Sequence, residues 1–559
     1  MLHPRVMQVL QLCLFRKMNL SPFLFLSLLL LPFRGVSREP ARPKLVVGIV
    51  VDQMRWDYLY RYSDRYGDNG FKRLLSDGFS CEQTFIPYLP TYTAPGHACI
   101  WTGSVPAIHG IAGNEWLEPG SHTPRYCVSD PTVRGVGGSQ RAGQMSPRTM
   151  LATTVGDELR LATNQKSRVF GISLKDRASI LPAGHSANGA YWYDDSTGRF
   201  MTSSFYADAL PQWLSSFNER RLPDSFLKRG WNLLQPASAY KHSTADSTAY
   251  EGLFPREKAP VFPHTGFQPK EYGLLRSMPT GNTLTLELAR AVVSGERLGN
   301  GVTTDLLTIN LASTDYAGHQ FGPNALELED LYIRLDKDIA DFLSYLDRTV
   351  GKGDYLLFLT ADHGAAHNAQ FLKDRRIPAG LLTESTVARG LKAALPSADS
   401  NSIRGFENYQ VYLDDNAVPV GSPERQRLKA ATKSWLLTQP GISMVIDLEE
   451  GQANLPEPIR RAAVNGYNAR RSGSLQIIPQ PGWYAGYGPT GTTHGTWNPY
   501  DSHIPLVWYG WKVEKGQTTR TTYMTDIAAT LAAMLHVQMP NGCIGTPIQE
   551  VSDVRKSGK

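Results

Sequence analysis

Aspartate and histidine side chains recur where apolar runs of this chain end. Three such runs are each followed by a carboxylate, two of these carboxylates have an imidazole nearby, and a further histidine lies in the loop GTTHG at 491–495. The residues are Asp52, Asp315, His319, Asp362, His363 and His494. Carboxylate oxygens and imidazole nitrogens are ligands that suit zinc. Because ligands of an open parallel sheet bind beyond the carboxyl ends of its strands, the sequence predicts a metal centre there.

The size of this ligand set predicts two metal ions. Three carboxylates and three imidazoles exceed the three protein ligands that one tetrahedral catalytic zinc needs beside its open position. Two metals roughly 4 Å apart can hold the attacking and the leaving oxygen of an in-line phosphoryl displacement. A single Asp-His dipeptide is more commonly structural, but the convergence of the whole set favours phosphate ester chemistry.

A candidate nucleophile lies in the segment PTYTAPGHACIWTG at 90–103. A helix is expected to begin near Thr93, where free backbone N–H groups favour an anionic phosphoryl group. The hydroxyl of Thr93 is a weak nucleophile at neutral pH, and contact with a metal activates such a group. By its local sequence alone, Thr93 would more simply cap the helix.

The elements that must position these residues follow an α/β pattern. Apolar, β-branched runs that end in polar clusters are typical of buried parallel strands, and helical patterns lie between them. Strands are predicted at 44–51, 168–174, 305–311, 355–360 and 504–509, and helices at 150–161, 283–294, 324–346 and 526–535. We therefore expect a three-layer α/β sandwich with a mostly parallel central sheet.

Two stretches fit this alternation poorly. Residues 184–279 are rich in aromatic, Ser and Pro residues, and residues 370–487 hold mixed helices and one short strand-like run. We interpret both as segments inserted into a catalytic domain that extends from 43 to 545, the second of them forming a cap.

The first 37 residues are predicted to be a signal peptide. Arg16 and Lys17 precede an apolar run at 22–33, which is shorter than the 18 or more apolar residues expected of a membrane span. Small residues at 35–37 offer a cleavage point, and Met18 is an alternative start to Met1. An exported protein, periplasmic or secreted, without a membrane span after cleavage is therefore expected; a short uncleaved anchor is the alternative.

Composition excludes several classes of protein. With 41% hydrophobic and 19% charged residues, the chain of 559 residues is globular, neither disordered nor a small stapled scaffold. The net charge of +6 falls largely within the first 34 residues, so no nucleic-acid-binding surface is indicated. Four cysteines follow the leader without a CxxC pair, and their pairing cannot be deduced: Cys81, Cys99, Cys127 and Cys543.

Taken together, the motifs resemble those of the alkaline phosphatase superfamily, most closely its PafA-type periplasmic alkaline phosphatases, which use threonine as nucleophile. The similarity covers nearly the whole mature chain. Besides the segment at 90–103, the motifs are VVDQMRWDYL at 50–59, IHGIAGNEW at 108–116, SLKDR at 173–177, STDYAGH at 313–319, TADHG at 360–364 and GTTHG at 491–495.

The resemblance implies roles for individual residues. It places one zinc on Asp315, His319 and His494. It places a second zinc on Asp52, Asp362 and His363, with Thr93 bridging the two as nucleophile. Asn114 matches an asparagine that hydrogen-bonds a phosphoryl oxygen. Lys175 and Arg177 match a basic pair that stands in for the magnesium site of other alkaline phosphatases.

The basic pair bears on the substrate class. A monoester dianion has three nonbridging oxygens that cations beyond the two zincs can stabilise in the transition state. The expected activity is therefore alkaline hydrolysis of small-molecule phosphate monoesters through a phosphothreonine intermediate, releasing inorganic phosphate. The resemblance also implies a monomer.

Other activities remain as alternatives. A phosphodiesterase or nucleotide pyrophosphatase of the same superfamily shares the threonine and asparagine but lacks the basic pair. A sulfatase is disfavoured because the TAPGH segment at 93–97 lacks a Cys or Ser to convert to formylglycine. A phosphoglycerate mutase shares the metal ligands but is unusual outside the cell. A non-catalytic binding protein would have lost a ligand or the nucleophile, and none is missing.

Three more histidines lie close to these motifs. They are His97, His109 and His367. Since both metal shells are already complete, we expect these histidines to hydrogen-bond backbone or pack near the site rather than to bind zinc.

Overall fold

The structure is a computed structural model that describes residues 41–118, 121, 123–451, 454–486 and 488–553. The predicted signal peptide at 1–37 lies outside the described residues. The strands are β1 (Leu45–Val51), β2 (Phe79–Phe85), β3 (Glu115–Leu117), β4 (Pro124–Tyr126), β5 (Gly135–Val136), β6 (Val169–Ser173), β7 (Gly189–Asp194), β8 (Arg199–Ser203), β9 (Asp305–Leu311), β10 (Tyr355–Thr360), β11 (Gly380–Leu382), β12 (Ile403–Glu407), β13 (Gln410–Leu413), β14 (Ile442–Asp447), β15 (Leu475–Pro479), β16 (Trp483–Ala485), β17 (His503–Ile504), β18 (Leu506–Gly510) and β19 (Gly516–Tyr523).

Helices connect most of these strands. They are α1 (Tyr58–Arg61), α2 (Phe71–Asp77), α3 (Thr93–Thr102), α4 (Pro106–His109), α5 (Val155–Ala162), α6 (Asp176–Ala183), α7 (Gln212–Glu219), α8 (Leu222–Arg229), α9 (Pro279–Gly295), α10 (Ser313–Phe321), α11 (Leu326–Leu346), α12 (Ala369–Asp374), α13 (Glu384–Ala394), α14 (Ser397–Asn401), α15 (Pro423–Leu436), α16 (Ile459–Gly466), α17 (Pro499–Ser502), α18 (Asp526–Leu535) and α19 (Gln549–Ser552). One group, which includes α9 and α11, packs together, and a second group pairs α3 with α6 and α18. Helices of both groups contact β6 and β9, so the sheet lies between two helical layers.

The central sheet has the order β17-β2-β18-β10-β1-β9-β6-β7-β8-β5, with β19 pairing to β2. Its middle strands, from β10 through β1, β9 and β6 to β7, are parallel, which confirms the predicted α/β fold. Strands β1, β9 and β10 are buried along their whole length. Because helices cover both faces of these strands, their sequences read as continuous apolar runs.

Antiparallel strands flank the parallel centre and make the sheet mixed. Strand β18 is antiparallel to both β10 and β2, and β8 is antiparallel to β7. The prediction of one parallel strand at 504–509 is therefore wrong. Pro505, which has no N–H for a strand ladder, separates β17 from β18, and both strands run antiparallel to their neighbours.

Helix ends differ from the sequence prediction where capping decides them. Helix α5 begins at Val155, later than the predicted 150. The Thr154 side chain accepts the N–H of Asp157, and the Asp157 carboxylate accepts the N–H of Thr154, at 3.1 and 2.9 Å. This reciprocal pair fixes the helix start at Thr154.

The two stretches interpreted as insertions differ in structure. Within 184–279, strands β7 and β8 extend the central sheet itself, so this part of the stretch is not an addition outside the sheet. Residues 370–487 contain a separate sheet of order β12-β13-β15-β14 with its own apolar cluster around Val411, Leu428 and Leu475.

Among the described residues, no helix combines the length and apolar character needed to cross a membrane. The cysteines within the same part of the chain are all free thiols: Cys81, Cys99, Cys127 and Cys543.

Candidate active site

The three predicted carboxylate ligands meet at one edge of the sheet. Asp52 directly follows β1, Asp315 lies in the first turn of α10 after β9, and Asp362 follows β10. Strand β1 pairs with both β9 and β10, so the three strand ends are neighbours. All three side chains are buried. The topology thus produces the convergence that the sequence pattern predicts.

The ligand atoms form two overlapping clusters. One consists of Asp315, His363 and His494, and the other of Asp52, Asp362 and His363; within each, the ligand atoms lie within 4.8 Å of one another. His363 belongs to both clusters, and its ring stacks on that of His494 with centroids 3.5 Å apart. The structure therefore brings together five of the six predicted ligands directly.

His319 joins the first cluster through Asp315. Its Nε2 lies 3.0 Å from Asp315 Oδ1, because residues four apart share one face of helix α10. The His319 side chain is 36% exposed, whereas those of Asp315 and His494 are each 4% exposed. The first cluster is therefore open to solvent on its His319 side.

Each ligand histidine donates its Nδ1–H to a backbone carbonyl. The acceptors are Thr492 O for His319 at 2.8 Å, Gly364 O for His363 at 3.0 Å and Thr91 O for His494 at 2.7 Å. These bonds fix the tautomer and leave the lone pair of Nε2 available for a metal ion. Burial lowers the pKa of His363 to about 3 and that of His494 well below its ordinary value. Both imidazoles are thus neutral, as a metal ligand requires.

The protein does not fully compensate the negative charge that Asp52 and Asp362 carry when they are ionised. Oδ1 of Asp52 and Oδ2 of Asp362 are buried and have no hydrogen-bond partner. Burial, opposed by Lys175, raises the pKa of Asp52; burial and the nearby Asp52 raise the pKa of Asp362 well above its ordinary value. Because such orphaned carboxylate oxygens are costly to bury, divalent cations fit this site both in charge and in donor type.

Thr93 lies beside His363, the histidine that the two clusters share. It is the first residue of α3, and Tyr92 occupies the N-cap position, so the simpler interpretation of Thr93 as the helix cap is wrong. Its Oγ1 lies 3.4 Å from His363 Nε2 and 3.4 Å from Lys175 Nζ. The hydroxyl therefore faces both the predicted metal ligands and a cation.

Asn114 is held beside Thr93 by the first turn of α3. Its Oδ1 accepts the N–H of Ala94 at 2.9 Å. Because the amide oxygen is the acceptor, the amide N–H groups remain as donors toward a ligand bound at the helix N terminus.

Lys175 and Arg177 follow β6 at the start of α6. Lys175 Nζ lies 2.6 Å from Asp315 Oδ2 and 2.9 Å from Asp52 Oδ2. Burial alone would lower the pKa of Lys175, but these two carboxylates raise it above its ordinary value, so the ammonium stays charged. Arg177 Nη1 donates to the Tyr126 hydroxyl at 3.2 Å, and its Nε is buried without a hydrogen-bond partner.

Comparison with known proteins places this geometry in a family. Residues 46–503 match the family model described as Type I phosphodiesterase / nucleotide pyrophosphatase. The chain belongs to this family, within the alkaline phosphatase superfamily. Alkaline phosphatase PhoV of Synechococcus elongatus is 49% identical over 522 residues, which cover 91% of this chain and 93% of PhoV.

Two further relatives are equally similar. A protein of Myroides odoratus named calcium-transporting ATPase is 49% identical over 523 residues, covering 92% of this chain and 95% of that protein. The crystal structure of wild-type alkaline phosphatase PafA superposes with a TM-score of 0.88 at 48% identity, covering 92% of this chain and 99% of PafA. The resemblance stated from the motifs is confirmed.

Asp501 is a buried residue close to the predicted ligands that the sequence analysis did not single out. Its Oδ2 accepts the N–H and the hydroxyl of Thr496 at 2.8 and 2.6 Å, and its backbone carbonyl accepts the N–H of Gly364 at 2.8 Å. Thr91 Oγ1 in turn donates to Thr496 O at 2.8 Å. Asp501 thus ties the loop of His494 to the loop of His363. No spacing marks it in the sequence, since its partners are brought close only by folding.

The three additional histidines act as expected in part. His109 Nδ1 accepts the N–H of Ile111 at 3.1 Å, and His367 Nδ1 lies 2.7 Å from Asn324 Oδ1. His97 differs, because both ring nitrogens are buried without a hydrogen-bond partner and Nε2 lies 3.5 Å from Asp362 Oδ2. His97 therefore borders the second cluster directly.

A cavity of about 490 Å³ opens beside His319. Its described lining residues include Tyr484, Thr490, Thr492 and Thr493 and, apart from His319, carry no ionisable group other than a tyrosine hydroxyl.

Proposed function

We propose that this protein is a zinc-dependent alkaline phosphatase that hydrolyses small-molecule phosphate monoesters through a phosphothreonine intermediate. The observation that carries the proposal is the position of Thr93, whose hydroxyl lies within 3.4 Å of both a ligand histidine and Lys175. Export to the periplasm or the medium, and a monomeric state, are part of the proposal and are supported by the sequence resemblance.

Two zinc ions are the proposed cofactors. Asp315, His319 and His494 would hold one ion. Asp52, Asp362 and His363 would hold the other, with Thr93 between them. Bound there, the ions would supply Lewis acidity that lowers the pKa of hydroxyl groups and stabilises developing negative charge; alkaline pH favours activity because these groups react in their deprotonated form.

The side chains of this protein perform the transfer in two displacements. Thr93 Oγ attacks phosphorus while the bond from phosphorus to the ester oxygen breaks; the hydroxyl proton passes to solvent, and the ester oxygen leaves as an alkoxide that takes up a proton and is released as the alcohol. Asn114, Lys175 and Arg177 bind the nonbridging oxygens, together with the N terminus of α3. Water then attacks the phosphothreonine, which restores the Thr93 hydroxyl and releases inorganic phosphate.

The charge around Thr93 favours monoesters over diesters. A monoester dianion carries one more charged oxygen than a diester, and the Lys175 ammonium is the charged donor closest to Thr93. The family description supports a second candidate, phosphodiesterase or nucleotide pyrophosphatase activity at the same site. Comparing nitrophenyl phosphate with its methyl diester distinguishes the two candidates.

Replacement of the nucleophile tests the proposal. Thr93→Ser keeps a hydroxyl and should retain turnover and incorporate radiolabelled phosphate from substrate after acid quenching. Thr93→Ala should lose both, with an unchanged circular dichroism spectrum and zinc content. Full activity of Thr93→Ala in zinc-replete buffer would show that the proposed nucleophile is wrong.

A further inference from the structure

Gln53, which directly follows the ligand Asp52, adopts an unusual backbone conformation. The N–H of Met54 bonds to Val51 O at 3.2 Å and closes a tight turn in which Gln53 is the third residue. Its φ is 62°, and the residue is 3% exposed. Glycine or asparagine is the usual residue at such a turn position, because other side chains are strained there.

The side chain and the backbone of Gln53 contact both ligand clusters. Its Nε2 donates to Asp315 Oδ1 at 2.7 Å, and its backbone N–H donates to Asp362 Oδ1 at 3.2 Å. Asp315 belongs to the first cluster and Asp362 to the second. With Lys175 on Oδ2, both oxygens of Asp315 have a donor. Gln53 thus connects the two clusters through neutral donors.

Gly318 in helix α10 provides the space for this amide. A Cβ at Gly318 would overlap Gln53 Oε1. Glycine inside a helix is unfavourable, so its presence one residue before His319 indicates a close approach that matters. The amide of Gln53 is the group that makes this approach.

A purely structural role does not account for Gln53. A glycine at this position would relieve the positive φ and would keep the backbone N–H to Asp362. Only the hydrogen bond from the side-chain amide to Asp315 requires the longer side chain. Strain retained beside a functional group is typical of residues that orient that group.

We propose that Gln53 is a positioning residue that fixes the Asp315 carboxylate relative to Asp362, so that both clusters bind their metal ions in the geometry that Thr93 needs. The inference rests on the proposed two-zinc site. It also assigns Gly318 a role, namely to leave room for the Gln53 amide against α10.

Gln53→Gly tests this role against a structural one. The metal-free variant should have a melting temperature equal to or above that of the wild type, because the strain is removed. Its zinc dissociation constant, measured by competition with a chromophoric chelator, should rise 10- to 100-fold, which is the order typical of lost outer-shell partners. The value of kcat for a monoester should fall, with a smaller change in KM.

The matched control is Gln165→Gly. Gln165 is the same residue type at a similar φ of 63°, and it is exposed. This variant should leave zinc affinity and kcat unchanged. An equal loss in both variants, or wild-type zinc affinity and kcat in Gln53→Gly, would overturn the inference.

Gly318→Ala gives a second, independent measurement. In the wild-type background the added methyl group should displace the Gln53 amide and weaken zinc binding. In the Gln53→Gly background the same substitution should have a much smaller effect, and equal effects in both backgrounds would contradict the inference. If the wild-type protein binds two zinc ions and Thr93 becomes labelled with radioactive phosphate, the proposed function stands whatever these variants do. Wild-type protein that binds no zinc overturns both.

Discussion

The ammonium group of Lys175 lies 2.6 Å from Oδ2 of Asp315. It also lies 2.9 Å from Oδ2 of Asp52, which belongs to the other ligand cluster. An ammonium group has three N–H donors, so after these two contacts one remains, and Thr93 Oγ1 is 3.4 Å away. Lys175 therefore both compensates the buried carboxylates and directs a positive charge toward the nucleophile.

Replacing Arg177 or Lys175 should lower the monoester activity more than the diester activity. Arg177→Met should lower kcat/KM for nitrophenyl phosphate by roughly 10²- to 10³-fold, the order of a lost oxyanion donor, and that for the methyl diester by less. Steady-state kinetics with both substrates measure this. Lys175→Met should show the same preference, accompanied by a change in zinc affinity because it leaves Asp52 and Asp315 without their shared cation.

Zinc content distinguishes a direct effect on substrate preference from an effect that acts through zinc binding. Arg177 has no hydrogen bond or ion pair with a predicted metal ligand among the contacts of the described residues, so Arg177→Met should retain two zinc ions. An equal loss of monoester and diester activity in Arg177→Met would argue against a role in monoester selection.

The hydrogen bonds of Asp501 predict that replacing this residue lowers zinc affinity, although Asp501 is not among the predicted metal ligands. Asp501→Ala removes the carboxylate oxygen that accepts both the N–H and the hydroxyl of Thr496, and should raise the zinc dissociation constant about 10-fold or more. Asp501→Asn keeps one amide oxygen as acceptor and should recover most of that affinity. Titration with a chelator measures both values.

Asp157→Ala serves as the control for the Asp501 substitutions. Asp157 is also a buried carboxylate that caps a loop, since it bonds Thr154 and Ser186, but it lies in the capping box of α5. It should lower the melting temperature and leave zinc affinity unchanged. A similar loss of zinc affinity in Asp157→Ala and Asp501→Ala would mean that general destabilisation is the cause.

Removal of metal should destabilise the fold measurably. A ligand that binds only the folded state stabilises it by about 2.7 kcal/mol when its concentration is 100 times the dissociation constant. Chelator-treated protein should therefore melt at a lower temperature, and added zinc should restore the wild-type value in a concentration-dependent way. Calorimetry checks this, and a melting temperature that is insensitive to zinc would contradict the proposed cofactor.

The sequence predicted those parts of the molecule that depend on local patterns. Strands β9 and β10 match their predicted bounds because burial on both faces demands unbroken apolar runs. The polar residues after these strands identify the candidate ligands, since functional side chains gather beyond the carboxyl ends of parallel strands. The same signal does not give strand direction, so the antiparallel course of β17 and β18 was missed.

Local sequence patterns could not predict contacts that form only in the tertiary structure. Asp501 and Gln53 lie within or next to motifs, but their partners come from other strands and loops, and neither spacing nor composition indicates those partners. Strands β7 and β8 were missed as part of the central sheet because aromatic residues there resemble those of the surrounding inserted segment.

A buried carboxylate outside the active site predicts how stability depends on pH. Burial and then the charge of Glu327 raise the pKa of Glu251 to about 8, from an ordinary value of 4.5. Between these two pH values the folded state holds a proton that the unfolded state has released, so the free energy of unfolding falls as the pH rises through this window. Glu251→Gln keeps an acceptor for the N–H of Thr248, which bonds Glu251 at 3.0 Å, and removes the titration. The melting temperature of Glu251→Gln should therefore decline less than that of the wild type between pH 5 and about 9. The control Glu514→Gln, at an exposed position, should follow the wild type. If the plots of melting temperature against pH are parallel for all three proteins, Glu251 is already ionised at pH 5.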